Sequence, residues 1–318
     1  MQVFRDTQDG RMLTPAVLTF GVFDGLHLGH QLIMRTVAER AAATGLPATV
    51  VTFEPHPRAV LHPESAPPLL QTFEQKMAGM ERLGIDQVVV LNFTRELSLQ
   101  TAEDFLSSII FGRLDARETY LGTGFAFGHN REGRFDLLER TAQRLGRVAA
   151  EVPEVLVRGQ RVSSTAIRRF LGGGRVGSAR RMLGRPYGIR SRVIEGRKLG
   201  RAKLGYGTAN LRPENQVVPA IGVYITLTMI DGKWRRSVTN VGQRPTFGGD
   251  SEVTVESHIM GFDRELYGES VSIRFLHRLR GEMKFESIDS LRAQIGRDYN
   301  RAEKYFDMRP VRRSLEFE

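Results

Sequence analysis

FGVFDGLHLGHQ, residues 20–31, leaves an apolar run, AVLTFGVF, and enters an amphipathic, alanine-rich segment, HQLIMRTVAERAAATG. A short apolar run broken by glycine reads as a buried strand. The segment after it reads as a helix closed by Gly45. His27 and His30 stand three residues apart at that junction. If the helix begins near Leu28, both imidazoles lie at its N-terminus, where free N–H groups and the helix dipole attract anions. Gly21 and Gly29 let backbone come close to a ligand. The spacing favours a phosphate. A structural capping pair is the second reading and a metal the weakest, because no HExxH pattern and no cysteine supplies further ligands. Asp24 lies too close to the turn to strengthen the metal reading.

The same alternation continues outward. PATVVTF, DQVVVLNF, ETYLG and RVAAEVPEVLV read as strands, and TFEQKMAGMERLG, TAEDFLSSIIFG and GRFDLLERTAQRLG as helices. Thr101 is expected to open the second of these helices and Gly112 to close it. Strands alternating with helices imply a doubly wound parallel sheet with helices on both faces. Ligands in such sheets sit beyond the carboxyl ends of the strands, so the loops after Phe20, Phe53, Phe93 and Leu121 are the ones to examine. After SSTAIRRFLGGGRVGSARRMLGRPYG the period changes. IRSRVIEG, AIGVYITLTMI, RRSVTNVG, EVTVESHIM and SVSIRFLHRLR are short and rich in Val, Ile and Thr, as in a small antiparallel barrel or sandwich. A last amphipathic helix follows, with Ser287 as its candidate N-cap. The expected division is residues 1–185 and 186–318.

Composition narrows the chemistry. The 318 residues include no cysteine, which excludes disulfides, zinc–thiolate sites, iron–sulfur clusters and cysteine nucleophiles and fits a reducing cytoplasm. The first residues, MQVFRDTQDG, lack the pattern of a secretory signal, and no apolar stretch is long enough for a bilayer. The net charge of +10 points to polyanions or nucleotide phosphates. Between Arg168 and Lys203, Glu195 is the only acid among many arginines. That segment has neither the aromatic interleaving of a single-strand platform nor a helix-turn-helix or RNA-recognition signature, so no nucleic-acid partner is expected. No membrane partner is expected either, and the sequence sets no oligomeric state.

GVFDGLHLGH resembles the HxGH signature of the nucleotidyltransferase superfamily, and VSSTAIRRF (162–170) resembles its ISSTxxR element. With TFEPHPR and GFAFGHNREG, the pair is similar to the bacterial two-domain riboflavin kinase/FAD synthetases, from about Phe20 to Phe306. The resemblance implies AMP transfer from ATP to FMN in the N-terminal half, with release of FAD and pyrophosphate. It implies that His27 and His30 stabilise the α-phosphate transition state. It places ATP contacts at Gly21, Phe23, Asp24 and Gly29, and β- and γ-phosphate contacts at Ser164, Thr165 and Arg168.

GYGTANL (205–211) resembles the PTAN motif of riboflavin kinases. The resemblance implies that Thr208 and Asn210 hold Mg²⁺ and ATP, and that Glu256, in VTVESHIM, takes the proton from the riboflavin hydroxyl. Without the family, Glu256 is an ordinary strand carboxylate. No Walker-type GxxxxGK[ST] loop is present. Three departures stand out. Gly124 occupies the place of an Asp or Asn, for which His129 or Asn130 could compensate. Gly207 replaces the motif's proline, and GRAKLGYGTAN is one residue longer than the usual spacing. A chain with adenylyl transfer and a weakened kinase is therefore the alternative reading.

Overall fold

The computed structural model describes residues 1–6, 14–195, 208–245 and 251–308. The chain folds as two compact units, Met1–Pro68 with Phe73–Ser163, and Leu69–Thr72 with Ser164–Glu318. The sequence places the division at 185/186. The packing division falls earlier, so the SST helix and the helix after it count with the second unit.

The first unit is a six-stranded parallel sheet in the order β1-β4-β3-β2-β5-β6. Its strands are β1 (Gln2–Arg5), β2 (Ala16–Phe20), β3 (Ala48–Glu54), β4 (Gln87–Asn92), β5 (Ala116–Gly122) and β6 (Val148–Val152), and β7 (Leu156–Val157) and β8 (Gln160–Arg161) pair as a separate two-stranded sheet. Strand β1 escaped the sequence pattern: it is an edge strand of four residues with one buried side chain, Phe4. The chain winds outward from β2 through β3 and β4, then restarts on the other side with β5. The switch point therefore lies between β2 and β5, the place where sheets of this kind bind ligands at the carboxyl ends of the strands.

Both faces of the sheet are covered. Helices α1 (Leu28–Thr44) and α3 (Phe73–Arg82) bury Met34, Val37, Met77 and Met80 against one face. The short α2 (Pro57–Leu61) and α4 (Arg95–Ser98) lie in the loops after β3 and β4. The stretch from α5 (Ala102–Asp104) to Arg113 and helix α6 (Phe135–Arg144) cover the other face with Phe105, Leu106, Ile110 and Leu138.

Thr101 does open its helix, its hydroxyl accepting the Asp104 N–H at 3.1 Å. Gly112 does not close it. Residues Phe105–Arg113 form a π-helix that runs past Gly112 and ends in a Leu114 N–H bond to the Ile109 carbonyl. A Cβ on Gly112 would lie 2.6 Å from the Ser107 carbonyl oxygen, so the glycine makes the wide turn possible. Gly45, by contrast, takes the left-handed conformation that ends α1, as expected, and Gly84 does the same after α3.

The second unit opens with α7 (Ser164–Gly172) and α8 (Val176–Leu183) and continues as a closed barrel, β10-β13-β12-β11-β14-β9. The strands are β9 (Tyr187–Ile194), β10 (Thr208–Pro213), β11 (Gly222–Ile230), β12 (Lys233–Pro245), β13 (Ser251–Ile259) and β14 (Ser270–Arg280), and every pairing is antiparallel. A two-residue turn with positive φ at Asp231 and Gly232 joins β11 to β12, the geometry that suits a twisted hairpin. Thr226, Thr228, Ser237, Thr239 and Ser257 fill part of the barrel interior and satisfy one another at 2.7–3.3 Å.

Helix α9 (Ile288–Met308) packs Ala302 and Phe306 on the outer face of β11 and β14. Ser287 caps it as expected: its hydroxyl accepts the Ser290 N–H, and Ser290 returns the bond. A buried Asp298 carboxylate, paired with Arg280 at 2.8 Å and with Gln294 at 3.0 Å, fixes α9 against β14.

Candidate active sites

The β2–α1 loop sits at the switch point and is the first candidate. His27 is the N-cap of α1: its backbone is extended and its Nδ1 accepts the His30 N–H at 3.3 Å. That bond leaves Nε2 as the protonated nitrogen of the His27 ring. The two imidazoles stack with centroids 3.6 Å apart and planes 20° from parallel. Phe23 closes over His30 edge-on at 5.2 Å. His27 is 7% exposed. His30 is half-buried, but its Nδ1 is shielded from water and has no hydrogen-bond partner among the described residues. Burial holds the His30 pKa well below the usual histidine value, and His27 and Lys76 push it in the same direction. The ring is therefore neutral at neutral pH, a donor and acceptor rather than a cation.

The loop that delivers these rings is strained. Phe23 and Leu26, neither of them glycine, have φ of 52° and 39°. Each costs on the order of 1–3 kcal/mol. Packing offsets this. Leu26 is buried and its Cδ1 would stand 2.4 Å from a Cβ on Gly79 of α3, so the absent side chain there is what admits it. Burying a leucine contributes roughly 1.5–3 kcal/mol. Phe23 rests on Gly21 in the same way, and a Cβ on Gly29 would press the His27 ring at 3.3 Å. Gly21, Phe23 and Gly29 thus shape the histidine pair. Asp24 is buried within the turn.

Two features here carry no sequence motif. Lys76 donates to the Val22 carbonyl at 3.5 Å and to the Thr52 hydroxyl at 3.3 Å, while Thr52 itself donates to Val22 at 3.2 Å. The second is a wall of aromatic rings at the same strand ends. Phe20 meets Phe105, Phe125 and Phe127 at 5.1–5.7 Å, and Phe53 meets Phe93 at 5.8 Å. Phe53, Phe93 and Phe125 are partly exposed. The strand-end loops point toward both features, but only the packing of α3 and of the loop after β5 brings them into place.

Deeper in the sheet, Arg40 of α1 grips Glu118 of β5 with two bonds of 2.9 and 2.7 Å, and Tyr120 donates to the same carboxylate at 2.7 Å. The Arg40 bond holds the Glu118 pKa down; burial first, then the Glu118 bond, push Tyr120 up to about 12. This network ties α1 across the switch point.

In the loop after β5, Gly124 has φ of 73°. Asp and Asn are the side chains most tolerant of that conformation, so the departure there removes a side chain without changing the backbone demand. His129 does not compensate. Its Nδ1 donates to the Ser98 carbonyl at 3.1 Å and its Nε2 takes a bond from Asn130 at 3.0 Å, so both nitrogens serve the loop. Ser164, Thr165 and Arg168 occupy the start of α7, in the second unit.

The second candidate is on the outer face of the barrel. Asn210 of β10 stands directly opposite Glu256 of β13, and Glu256 stands opposite Asn240 of β12. The flanking Val255 and Ser257 point into the barrel at 1% and 0% exposure, so Glu256 faces outward. His258, two residues on, meets the Tyr299 ring of α9 at 5.7 Å. One row away, a Cβ on Gly242 would lie 3.3 Å from Thr254 Oγ1, 3.4 Å from Asn240 Nδ2 and 3.6 Å from Glu282 Oε1. Polar atoms therefore converge beside Glu256. Thr208 begins β10, and its side chain lies outside the described residues, as do Gly207 and the lengthened loop before it.

Comparison with known proteins matches these two regions separately. The sequence model of the FAD synthetase family matches residues 10–166, and that of the riboflavin kinase family matches residues 183–306. The chain is 36% identical over 309 residues to the bifunctional riboflavin kinase/FMN adenylyltransferase of Haemophilus influenzae, covering 96% of this chain and 100% of that one. It is 38% identical to the Pseudomonas fluorescens protein of the same description, over 89% of this chain and 90% of that one. A crystal structure from Streptococcus pneumoniae, titled a macrolide-efflux protein, superposes with a TM-score of 0.87 at 29% identity, covering 95% of this chain and 99% of that one. Among the described residues, no helix is long and apolar enough to cross a membrane. Both halves of the family are represented, which does not favour the reading of adenylyl transfer alone; the chain belongs to the bifunctional riboflavin kinase/FMN adenylyltransferase family.

Proposed function

We propose that the chain makes FMN from riboflavin and FAD from FMN, with adenylyl transfer assigned to the β2–α1 loop and phosphorylation to the outer face of the barrel. The observation that carries the first assignment is the stacked His27–His30 pair, with His30 neutral, at a helix start on the switch point of a parallel sheet. An FMN phosphate oxygen attacks the α-phosphorus of ATP, a new P–O bond forms, and pyrophosphate leaves with the old one. No covalent enzyme intermediate is required, so positioning and charge stabilisation supply the rate. Ring N–H donors and the N-terminal amides of α1 meet the oxygens on which charge grows. Gly21, Phe23, Asp24 and Gly29 shape that loop and contact ATP. Ser164, Thr165 and Arg168 keep the roles their motif resemblance implies, contacts to the β- and γ-phosphates. Partly exposed Phe53, Phe93 and Phe125 offer the flat apolar surface an isoalloxazine ring stacks on.

In the kinase half, Glu256 accepts the proton of the riboflavin hydroxyl as its oxygen attacks the γ-phosphate. Mg²⁺ fits the donors present. Asn210 and Glu256 are neighbouring oxygen donors, and no cluster of three His, Cys, Asp or Glu side chains forms a metal cage among the described residues. Mg²⁺ takes oxygen ligands and is usually bound by one or two protein groups together with substrate phosphates and water. Asn210 and Thr208 would hold it, and when bound it would neutralise phosphate charge. The functional halves are 1–185 and 186–318, the compartment is the cytoplasm, and the partners are ATP, riboflavin and FMN rather than nucleic acid.

The test is direct. The full chain is incubated with Mg²⁺-ATP and either riboflavin or FMN, and the flavins are separated by chromatography. FMN and FAD should both form from riboflavin. FAD from FMN alone would support the single-activity reading, and no product from either flavin would overturn both.

A further inference from the structure

We propose that Lys76 is a positioning residue for adenylyl transfer, its ammonium pinning the turn from Val22 to Leu26 that delivers His27 and His30. The inference rests on the assignment of those histidines to adenylyl transfer. The geometry is specific. Lys76 stands in the first turn of α3 and reaches back to the Val22 carbonyl at 3.5 Å and to Thr52 Oγ1 at 3.3 Å. One turn further along, Gly79 admits the Leu26 side chain. Helix α3 therefore holds both ends of a turn whose Phe23 and Leu26 are strained. Released from the lysine, the turn keeps its strain and loses the charged one of its polar anchors at Val22, the Thr52 hydroxyl remaining at 3.2 Å.

Charge supports the same role. The groups facing His30 are His27 on its own helix and Lys76 from α3, and both keep the ring from protonating. Facing Lys76 are Asp24 in the turn and Glu54 at the end of β3, the latter also paired with Arg5 of β1 at 3.2 Å. Burial lowers the Lys76 pKa, while Asp24 and Glu54 oppose that shift and favour the cation. The half-buried ammonium is thus balanced by carboxylates on one side and acts on His30 from the other.

The experiment compares Lys76→Met, Lys76→Arg and His30→Ala in the full chain, with FAD and FMN formation assayed side by side. Lys76→Met should lower kcat for FAD formation about 10- to 100-fold, since displacements on the order of 1 Å at a reacting group cost about that much. KM for ATP should change far less, and FMN formation should not change. In Lys76→Met the His30 ring signal, assigned in the NMR spectrum by its loss in His30→Ala, should titrate at higher pH. Lys76→Arg should restore the low titration and part of the rate. Unchanged FAD formation with an unmoved His30 titration overturns the proposal, as does equal loss of both activities in Lys76→Met. If His30→Ala itself leaves FAD formation intact, the histidine assignment fails instead, whatever Lys76 does.

Discussion

His27 and His30 share one turn of chain and meet because a helix starts there. Asn210, Glu256 and Asn240 come from three strands and meet only through barrel register. The first region is locally encoded. Gly21, Gly29, the cap and the ring stack all fall within residues 21–30, and a single strained loop, held from outside by Lys76 and Gly79 of α3, sets the geometry. The second is assembled from afar, on backbone that is regular strand. A change in the loop should therefore act through position, and a change in the barrel row through chemistry.

The sharpest way to break that comparison is a reciprocal pair of substitutions. His30→Ala should lower FAD formation by about 10²–10³, the usual cost of removing one donor to developing charge, and should spare FMN formation. Glu256→Gln keeps the shape of the row and removes the proton acceptor. It should lower FMN formation by about 10²–10⁴ and leave FAD formation from added FMN unchanged. Product analysis of both variants checks this. If either substitution lowers both activities equally, the two regions are not separate sites.

A smaller effect sharpens the local half. Gly29 lies in the first turn of α1, where alanine favours helix by up to about 1 kcal/mol. Its Cβ would nevertheless meet the His27 ring at 3.3 Å, and the ring must yield by a few tenths of an ångström. Gly29→Ala should then raise the thermal midpoint slightly while lowering FAD formation several-fold, a gain in stability set against a loss in positioning. A variant that is more stable and fully active would show that the stacked rings tolerate displacement.

The same contrast explains what the sequence made legible. The parallel sheet, the barrel, the His pair and the Ser287 cap rest on periods and short motifs, and these survive translation into structure. The six-residue β10 carries a motif rather than a strand pattern, because GYGTANL has few apolar residues. Gly112 looked like a helix stop, yet it serves a π-turn whose crowding depends on Ser107 five residues back. Lys76 sits 46 residues from His30 and carries no motif; only the crossing of α3 beside β3 brings it near. Asn240 shows the same limit, since its place opposite Glu256 follows from register alone.

The smallest predicted effect concerns pH and belongs to the loop site. His30 has a folded pKa below that of the unfolded chain, where histidine titrates at about 6.5. Between those two values the unfolded state binds more protons than the folded one, so stability rises with pH through the window and falls as pH drops below about 6.5. His30→Gln removes the titrating group from both states. The difference in thermal midpoint between wild type and His30→Gln should therefore be constant above pH 7.5 and shift against the wild type as the pH is lowered toward 5. A difference that stays flat over that range would mean that His30 protonates as easily folded as unfolded. The neutral state assigned to His30 would then lose its electrostatic basis, and the loop would differ from the barrel row in shape alone.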